Sequence, residues 1–386
     1  MTTIVSYLQR TLQNRISERI GVNKVLLLYG TRRVGKTRLL RQIQEAYQGS
    51  SMMMNGEDND IKILLANRSV SSYRQMLGDT KLLLIDEAQT IPEIGKILKL
   101  MIDSFEDLTI IATGSSSFDL MNKSGEPLTG RSYTYHLYPV SQEELMNNST
   151  WLEANNQLSE RLVYGNYPEV LTIKKPSHKQ EYLENLVQNY LLKDIFEFEN
   201  VKNSRKIHDL MRLLAYQTGS EVSLDELGRQ LGMSKNTVER YLDLLTKVFV
   251  IYKLGGYSTN LRKEVTKSAK WYFFDNGIRN ALIKEFKPLA LRQDVGSLWE
   301  SYVISERIKT MHYNGKRTDY FFWRTYDRQE VDLIEREGQE ITAFEFKFKA
   351  GSKVKKPKFF EESYPNVPFE LIDSGNYTSF MCKGIQ

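Results

Sequence analysis

Gly30-Thr31-Arg32-Arg33-Val34-Gly35-Lys36-Thr37 follows directly on the apolar run Val25-Leu26-Leu27-Leu28-Tyr29. Two glycines separated by four residues, then Lys and Thr, at a strand-to-helix junction, make the pattern of a phosphate-binding loop. Glycine lets the backbone curl so that successive N–H groups converge on a polyphosphate. On this reading Gly30, Thr31, Arg32, Arg33, Val34 and Gly35 supply the cradle. Lys36 reaches the β- and γ-phosphates, and the Thr37 hydroxyl ligates Mg²⁺. Arg38 opens a helix running to Tyr47, whose N-terminus adds partial positive charge. The expectation is an ATP and Mg²⁺ site on an α/β fold, a parallel sheet with flanking helices.

A second stretch, Lys81-Leu82-Leu83-Leu84-Ile85-Asp86-Glu87-Ala88, is a short apolar strand ending in two carboxylates. A buried parallel strand delivers functional residues at its carboxyl end. Asp86 is expected to hold Mg²⁺, and Glu87 to polarise the attacking water. A third strand, Leu108 to Ala112, runs into Thr113-Gly114-Ser115. Thr113 and Ser115 are both candidates for sensing the γ-phosphate. Arg131, beyond that strand, is a candidate contact to the γ-phosphate of its own chain or of a neighbouring subunit; an ordinary salt bridge is the alternative.

Composition narrows the class. At 386 residues the chain is long enough for two or three domains, each with its own core. A hydrophobic fraction of 41% and a charged fraction of 26% describe an ordinary water-soluble chain rather than a disordered one. No apolar run approaches the length that spans a bilayer, and the first residues lack a secretory pattern, so no membrane partner and a cytoplasmic location are expected. The single cysteine, Cys382, excludes an intrachain disulfide framework, and four scattered histidines show no zinc-ligand spacing.

The net charge of +5 is concentrated. Between Ser204 and Asp275 twelve basic residues face eight acidic ones, a balance of +4. Lys253, Arg262, Lys263, Lys267 and Lys270 carry most of it. Around them Ser223-Leu224-Asp225-Glu226 opens a short helix to Leu231, and Gly232-Met233 makes a turn. Ser234 caps a second helix. Strands at Phe249–Leu254 and Lys270–Phe274 complete a winged-helix pattern. Its second helix presents Lys235, Asn236, Glu239 and Arg240 outward, and Arg262, Lys263 and Lys267 form the basic wing. Double-stranded DNA is the expected partner, with protein docking as the alternative.

The last hundred residues contain strands at Tyr320–Arg324, Glu330–Ile334 and Ile341–Lys349. Alternation puts Phe344, Phe346 and Phe348 on one face and Glu345, Lys347 and Lys349 on the other; Glu330 and Asp332 share a face opposite Val331 and Leu333. Asp332, Glu345 and Lys347, with Glu300 on a helix from Ser297 to Thr310, can converge on a second divalent metal, Mg²⁺ or Mn²⁺, and cleave a phosphodiester. A cross-strand salt bridge is the plainer account.

Taken together, the chain resembles a large bacterial and archaeal family of AAA-type ATPases whose C-terminal half was catalogued as a domain of unknown function. That half is similar to a winged helix joined to a restriction-endonuclease-like fold of the PD-(D/E)xK kind. The resemblance runs from about Arg19 to Ala350. It rests on Arg32–Thr37, Ile85–Ala88, Thr113–Ser116, Gly130-Arg131, Leu137–Val140, Gly165-Asn166-Tyr167-Pro168-Glu169, Lys193-Asp194-Ile195, Lys263-Glu264, Tyr272–Gly277, Trp299-Glu300, Glu330–Asp332 and Glu345–Lys347. Asn166 stands where the family usually has Gly, which raises the question of a left-handed backbone there. The resemblance implies ATP hydrolysis coupled to a DNA-interacting, nuclease-like module; the alternative is a nucleotide-gated regulator with an inactive nuclease-like domain. Sites of this type are often completed across subunits, so a homo-oligomer is an open expectation. The expected domains are an ATPase domain with an N-terminal helix (1–145), a helical lid and linker (146–203), a winged helix (204–280) and the nuclease-like domain (281–386). Within them a helix is expected over Val5–Ile20, a linker around Pro176, and a long bridging helix over Glu181–Glu199.

Overall fold

In a computed structural model of the chain, residues 8–115, 128–148, 151–191, 204–258 and 269–382 are described. Five parallel strands form the first sheet: β1 (Val25–Tyr29), β2 (Ser51–Asn55), β3 (Leu82–Asp86), β4 (Thr109–Gly114) and β5 (Ser132–His136), in the order β2-β3-β4-β1-β5. Every residue of β1, β3 and β4 is buried, as helices covering both faces of a parallel sheet require. All five strands point the same way, so Tyr29, Asp86, Gly114 and His136 end on one edge, where ligands bind in open α/β sheets. Helix α1 (Thr11–Ser17) precedes β1, and α2 (Lys36–Ala46) leaves its carboxyl end.

The second sheet has seven strands: β6 (Glu221–Val222), β7 (Ile251–Gly256), β8 (Ala269–Phe273), β9 (Asp319–Arg324), β10 (Glu330–Glu337), β11 (Glu340–Phe346) and β12 (Phe369–Ile372). Their order is β12-β11-β10-β9-β7-β8-β6. The boundary expected at 280/281 therefore falls inside one continuous sheet. Strand β7 pairs antiparallel with β8 on one side and parallel with β9 on the other, and Tyr257 N donates to Phe322 O at 2.6 Å. The backbone groups that a free hairpin would expose are satisfied by β9 instead. Before the hairpin, Gln142–Asn147 (α3), Leu224–Leu231 (α4) and Lys235–Lys247 (α5) are helices, capped by Ser141, Ser223 and Ser234. After it come α6 (Asn276–Ile283) and the 19-residue α7 (Val295–Tyr313), which exceeds the expected Ser297–Thr310 at both ends.

Pro176 is the first residue of a helix, Pro176–Asn185, rather than a linker; proline is favoured at a first helical position, where its missing N–H costs nothing. The bridging helix expected over Glu181–Glu199 turns into a π-helical stretch at Leu186–Leu191, and the rest of it, with Lys193-Asp194-Ile195, lies outside the described residues. The helix expected over Val5–Ile20 is α1 alone among the described residues.

The halves share buried apolar side chains. One set runs from Leu12, Leu28 and Val34 through Tyr138 to Tyr313, Trp299 and Phe344. Burying a side chain such as Leu28 or Phe344 contributes about 1.5–3 kcal/mol, so separating the halves would expose much of what holds each together. A polar joint reinforces this core. Gly165 has φ +71°, and a Cβ there would lie 2.0 Å from Asp275 Oδ1. Asp275 caps α6 through Gly277 N and Ile278 N while accepting from Asn166 N at 2.7 Å. The left-handed position is thus Gly165, not Asn166. The Asn166 side chain donates to Glu306 of α7 at 3.1 Å. No helix among the described residues is long and apolar enough to cross a membrane.

Candidate functional site

The loop after β1 holds itself ready for an anion. Gly35, with φ +100°, adopts a backbone conformation that a side chain would strain, and α2 begins at the next residue. Lys36 is buried and its ammonium donates to Gly30 O at 2.9 Å and Thr31 O at 3.3 Å, folded under the loop. Thr37 Oγ1 donates to Asp86 Oδ2 at 2.6 Å. The other Asp86 oxygen accepts from Thr113 Oγ1 at 2.5 Å, and the Thr113 hydroxyl in turn accepts from Glu87 N at 3.0 Å. The start of α2 and the carboxyl ends of β3 and β4 are thereby tied into one polar network. Of the two sensor candidates, Thr113 is the one that touches Asp86; Ser115 is buried just beyond.

Glu87 sits at φ +48°, which turns it out of the strand line, and its carboxylate accepts from Gln89 Nε2 at 2.6 Å. A hydroxyl at Thr37 beside a buried carboxylate at Asp86 is a donor set suited to a hard divalent cation such as Mg²⁺. Arg33 and Arg38 lie exposed on the loop and the first turn of α2. A crevice on the loop's shoulder is lined by Thr31, Arg32, Tyr167, Leu186, Val248 and Val250, so the segment between α5 and β7 borders the nucleotide loop.

Arg131 does not reach the loop of its own chain. Strand β5 runs parallel to β1 with Ser132 opposite Val25, so Arg131 precedes the amino end of the sheet, and the loop follows the carboxyl end. Its guanidinium pairs with Asp103 at 2.6 Å.

In the C-terminal sheet, a one-residue bulge in β10 corrects the expected faces. Val331 pairs with Trp323 and Ile334 with Phe321, three residues against two. Val331 and Ile334 therefore pack with Trp323 and Ala343, while Leu333 joins Phe322 and Phe344 on the side covered by α7. On β11 the alternation holds for Phe344 and Phe346, but the strand ends there, before Phe348.

The expected acids cluster around lysines. Lys270 of β8, 2% exposed, contacts Glu300 at 3.3 Å and Glu330 more closely; the Tyr272 hydroxyl also donates to Glu300. Asp332 Oδ2 accepts from Phe346 N at 2.8 Å, and Lys347 pairs with Glu345 at 2.7 Å. Burial, then the charge of Glu300, pushes the Asp332 carboxyl up to about 7. Burial raises Glu300 and Glu345 as well, offset in part by Lys270 and Tyr272 at the one and by Lys347 at the other. Burial works against the Lys270 ammonium, but Glu300 and Glu330 outweigh it and hold the pKa above the usual lysine value. Each carboxylate has a donor of its own, and among the described residues no three His, Cys, Asp or Glu side chains are grouped closely enough to hold a metal ion. Four carboxylates, Glu300, Glu330, Asp332 and Glu345, thus share the ammonium groups of Lys270 and Lys347, and with burial the remaining repulsion raises the Asp332 and Glu345 carboxyls.

On α5, Lys235, Asn236, Glu239 and Arg240 are exposed, and Lys235 lies 3.4 Å from Asp225 on α4. Arg262, Lys263 and Lys267 lie outside the described residues.

Residues 22–146 match the family model of an AAA domain. The N-terminal third has the AAA-type P-loop ATPase fold. Beyond the AAA domain, residues 155–289 and 295–376 match two domains of unknown function, DUF8612 and DUF4143. An uncharacterized protein of Mycobacterium tuberculosis is 27% identical over 328 residues, covering 84% of this chain and 70% of its own. One from Haemophilus influenzae is 26% identical over 362 residues, covering 87% and 84%. Among solved structures, a Walker-type ATPase of Pyrococcus abyssi superposes with a TM-score of 0.50 at 17% identity, over 72% of this chain and 96% of that one. At that identity the likeness concerns the fold alone.

Several site residues escaped the sequence reading. Lys270 belongs to the basic excess of its segment, but it is a lone lysine within Ala269-Lys270-Trp271-Tyr272-Phe273, whose other residues are all apolar or aromatic, and it is buried. Gln89 lies two residues past Glu87, close enough to have been suspected as its partner. Arg10, whose guanidinium donates to Val34 O of the loop at 2.8 Å, carries no local signal.

Proposed function

We propose that this chain is a Mg²⁺-dependent ATPase of the AAA type whose hydrolysis cycle gates a C-terminal, DNA-interacting module of nuclease-like architecture. The observation that carries the reading is the 2.6 Å contact of Thr37 with Asp86, beside a buried Lys36 and with Glu87 next in line. Thr37 and Asp86 would hold Mg²⁺, which would supply positive charge against the phosphates. Lys36 exchanges the Gly30 and Thr31 carbonyls for phosphate oxygens, and the loop amides stabilise the negative charge that builds during transfer. Glu87, released from Gln89, accepts a proton from the attacking water. Thr113 keeps Asp86 oriented throughout. Arg131, remote from the loop and paired with Asp103, takes no part in the site of its own chain. Lys235, Asn236 and Arg240, with Arg262, Lys263 and Lys267, meet the phosphate backbone of DNA. The test is the ATPase rate with and without double-stranded DNA at low salt: stimulation supports the coupling, and an unchanged rate removes DNA from the account.

A second reading, a nucleotide-gated regulator with no nuclease activity, is favoured by one observation: the Lys270 ammonium already occupies the space between Glu300 and Glu330. Supercoiled DNA incubated with Mn²⁺ separates the two. Nicking by the wild type that Asp332→Ala abolishes supports an active nuclease centre, and intact DNA under every nucleotide condition supports the regulator.

A further inference from the structure

Arg10 is 4% exposed and gathers contacts from four separate parts of the chain. Its Nη1 donates to Val34 O at 2.8 Å. Nη2 donates to Tyr138 O at 2.8 Å and to the Tyr313 hydroxyl at 3.1 Å, and Nε donates to Glu144 Oε1 at 2.9 Å. The partners are themselves fixed. Glu144 also accepts from Thr11 N at 3.0 Å and Ser141 N at 2.9 Å, closing the capping box of α3. The Tyr313 hydroxyl accepts from Tyr138 N at 2.9 Å. The guanidinium therefore has one orientation, set by β5, α3 and α7 together.

That orientation has a consequence inside the phosphate loop. In a trans peptide the carbonyl and the following N–H point in opposite directions. With Val34 O held by Arg10, Gly35 N–H points away from the guanidinium. An amide fixed in direction at this position is what a bound phosphate needs.

Tyr313 is the last residue of α7, and the helix is gripped along its length. Glu306 accepts from Gln142 N at 2.5 Å and Asn166 Nδ2 at 3.1 Å, and Arg15 donates to His312 O at 2.6 Å. Thirteen residues earlier, about 20 Å along the axis, the same helix carries Glu300 into the acid–lysine cluster.

We propose that Arg10 is a positioning residue for the nucleotide. It sets the Gly35 amide and takes its own orientation from Tyr313, so that α7 and the phosphate loop bias each other. This rests on the nucleotide reading above. Because coupling between two sites is reciprocal, nucleotide binding must tighten α7 by as much as Tyr313 tightens the loop.

The experiment uses the full chain as wild type, Tyr313→Phe and Arg10→Lys, the last retaining the charge but losing the fork. Mg-ATP affinity, KM and kcat are measured, with amide hydrogen exchange at Gly35 and across 300–313. Tyr313→Phe should weaken ATP binding about 5-fold and Arg10→Lys more, within the range typical of coupled sites. KM should rise while kcat stays nearly constant. Nucleotide should slow exchange across 300–313 in the wild type and not in Tyr313→Phe. Wild-type affinity and wild-type protection in Tyr313→Phe would overturn the proposal and leave the ATPase reading standing. If the wild type itself binds no Mg-ATP, the ATPase reading falls, and exchange at Gly35 without nucleotide still decides the link: faster in Tyr313→Phe supports it, unchanged refutes it.

Discussion

The nucleotide loop and the acid–lysine cluster both bury charged side chains, and they solve the problem differently. At the loop, Lys36 is satisfied by backbone carbonyls from its own segment, and Asp86 by the hydroxyls of Thr37 and Thr113. These partners are neutral, and a ligand's oxygens can take the place of the Gly30 and Thr31 carbonyls on Lys36. In the cluster, charge meets charge: Lys270 with Glu300 and Glu330, Lys347 with Glu345. Removing Lys270, 2% exposed, leaves Glu300 without its ammonium partner in a buried site. One region holds its charges through neutral partners, and the other through ion pairs that leave an excess of acid.

Three substitutions sharpen or break this contrast. Lys36→Ala should abolish Mg-ATP binding, at least a hundredfold by calorimetry, while chemical denaturation shows stability within about 1 kcal/mol of the wild type. A large loss of stability would place Lys36 in the same class as Lys270. Lys270→Met should do the reverse, costing about 3 kcal/mol of unfolding free energy with ATP affinity changed far less than by Lys36→Ala. Adding Glu300→Gln to it should recover part of the loss, and no recovery would mean that the ion pair is not what the lysine supports.

Asp332→Asn should stabilise the chain by about 1–2 kcal/mol at pH 7.5, as relief of strain at a functional site commonly does. The sign follows from its raised pKa. A carboxyl that titrates near 7 in the folded chain and near 3.9 when unfolded binds its proton more tightly in the folded state. Its contribution is then greatest at low pH and is lost as pH rises through 7. The advantage of Asp332→Asn should accordingly shrink at pH 5, and a pH-independent advantage would remove the titration argument.

The same contrast explains what could be read in advance. The loop, β3 and the caps at Ser141, Ser223 and Ser234 are written in contiguous residues whose spacing carries its own geometry, so their elements fall where the pattern puts them. The cluster depends on pairings between distant segments. The bulge in β10 exists because β9 offers one residue fewer, and no alternation count reveals it. The union of β7 with β9 likewise joins segments more than sixty residues apart, which hid the continuity of the second sheet. Arg131 was legible as a residue, but its placement was not, because strand direction sets the end of the sheet on which it lies. Arg10 was invisible for the same reason: its partners Val34, Tyr138, Glu144 and Tyr313 span the chain.

The central claim is that Glu87 completes a nucleotide-hydrolysing site assembled by Lys36, Thr37, Asp86 and Thr113. Mg-ATP titration and steady-state turnover of Glu87→Gln, measured on one preparation beside the wild type, test it most directly. The account predicts binding at wild-type affinity with kcat lowered about 10²–10⁴-fold, the range of a lost general base. Turnover at the wild-type rate would contradict it.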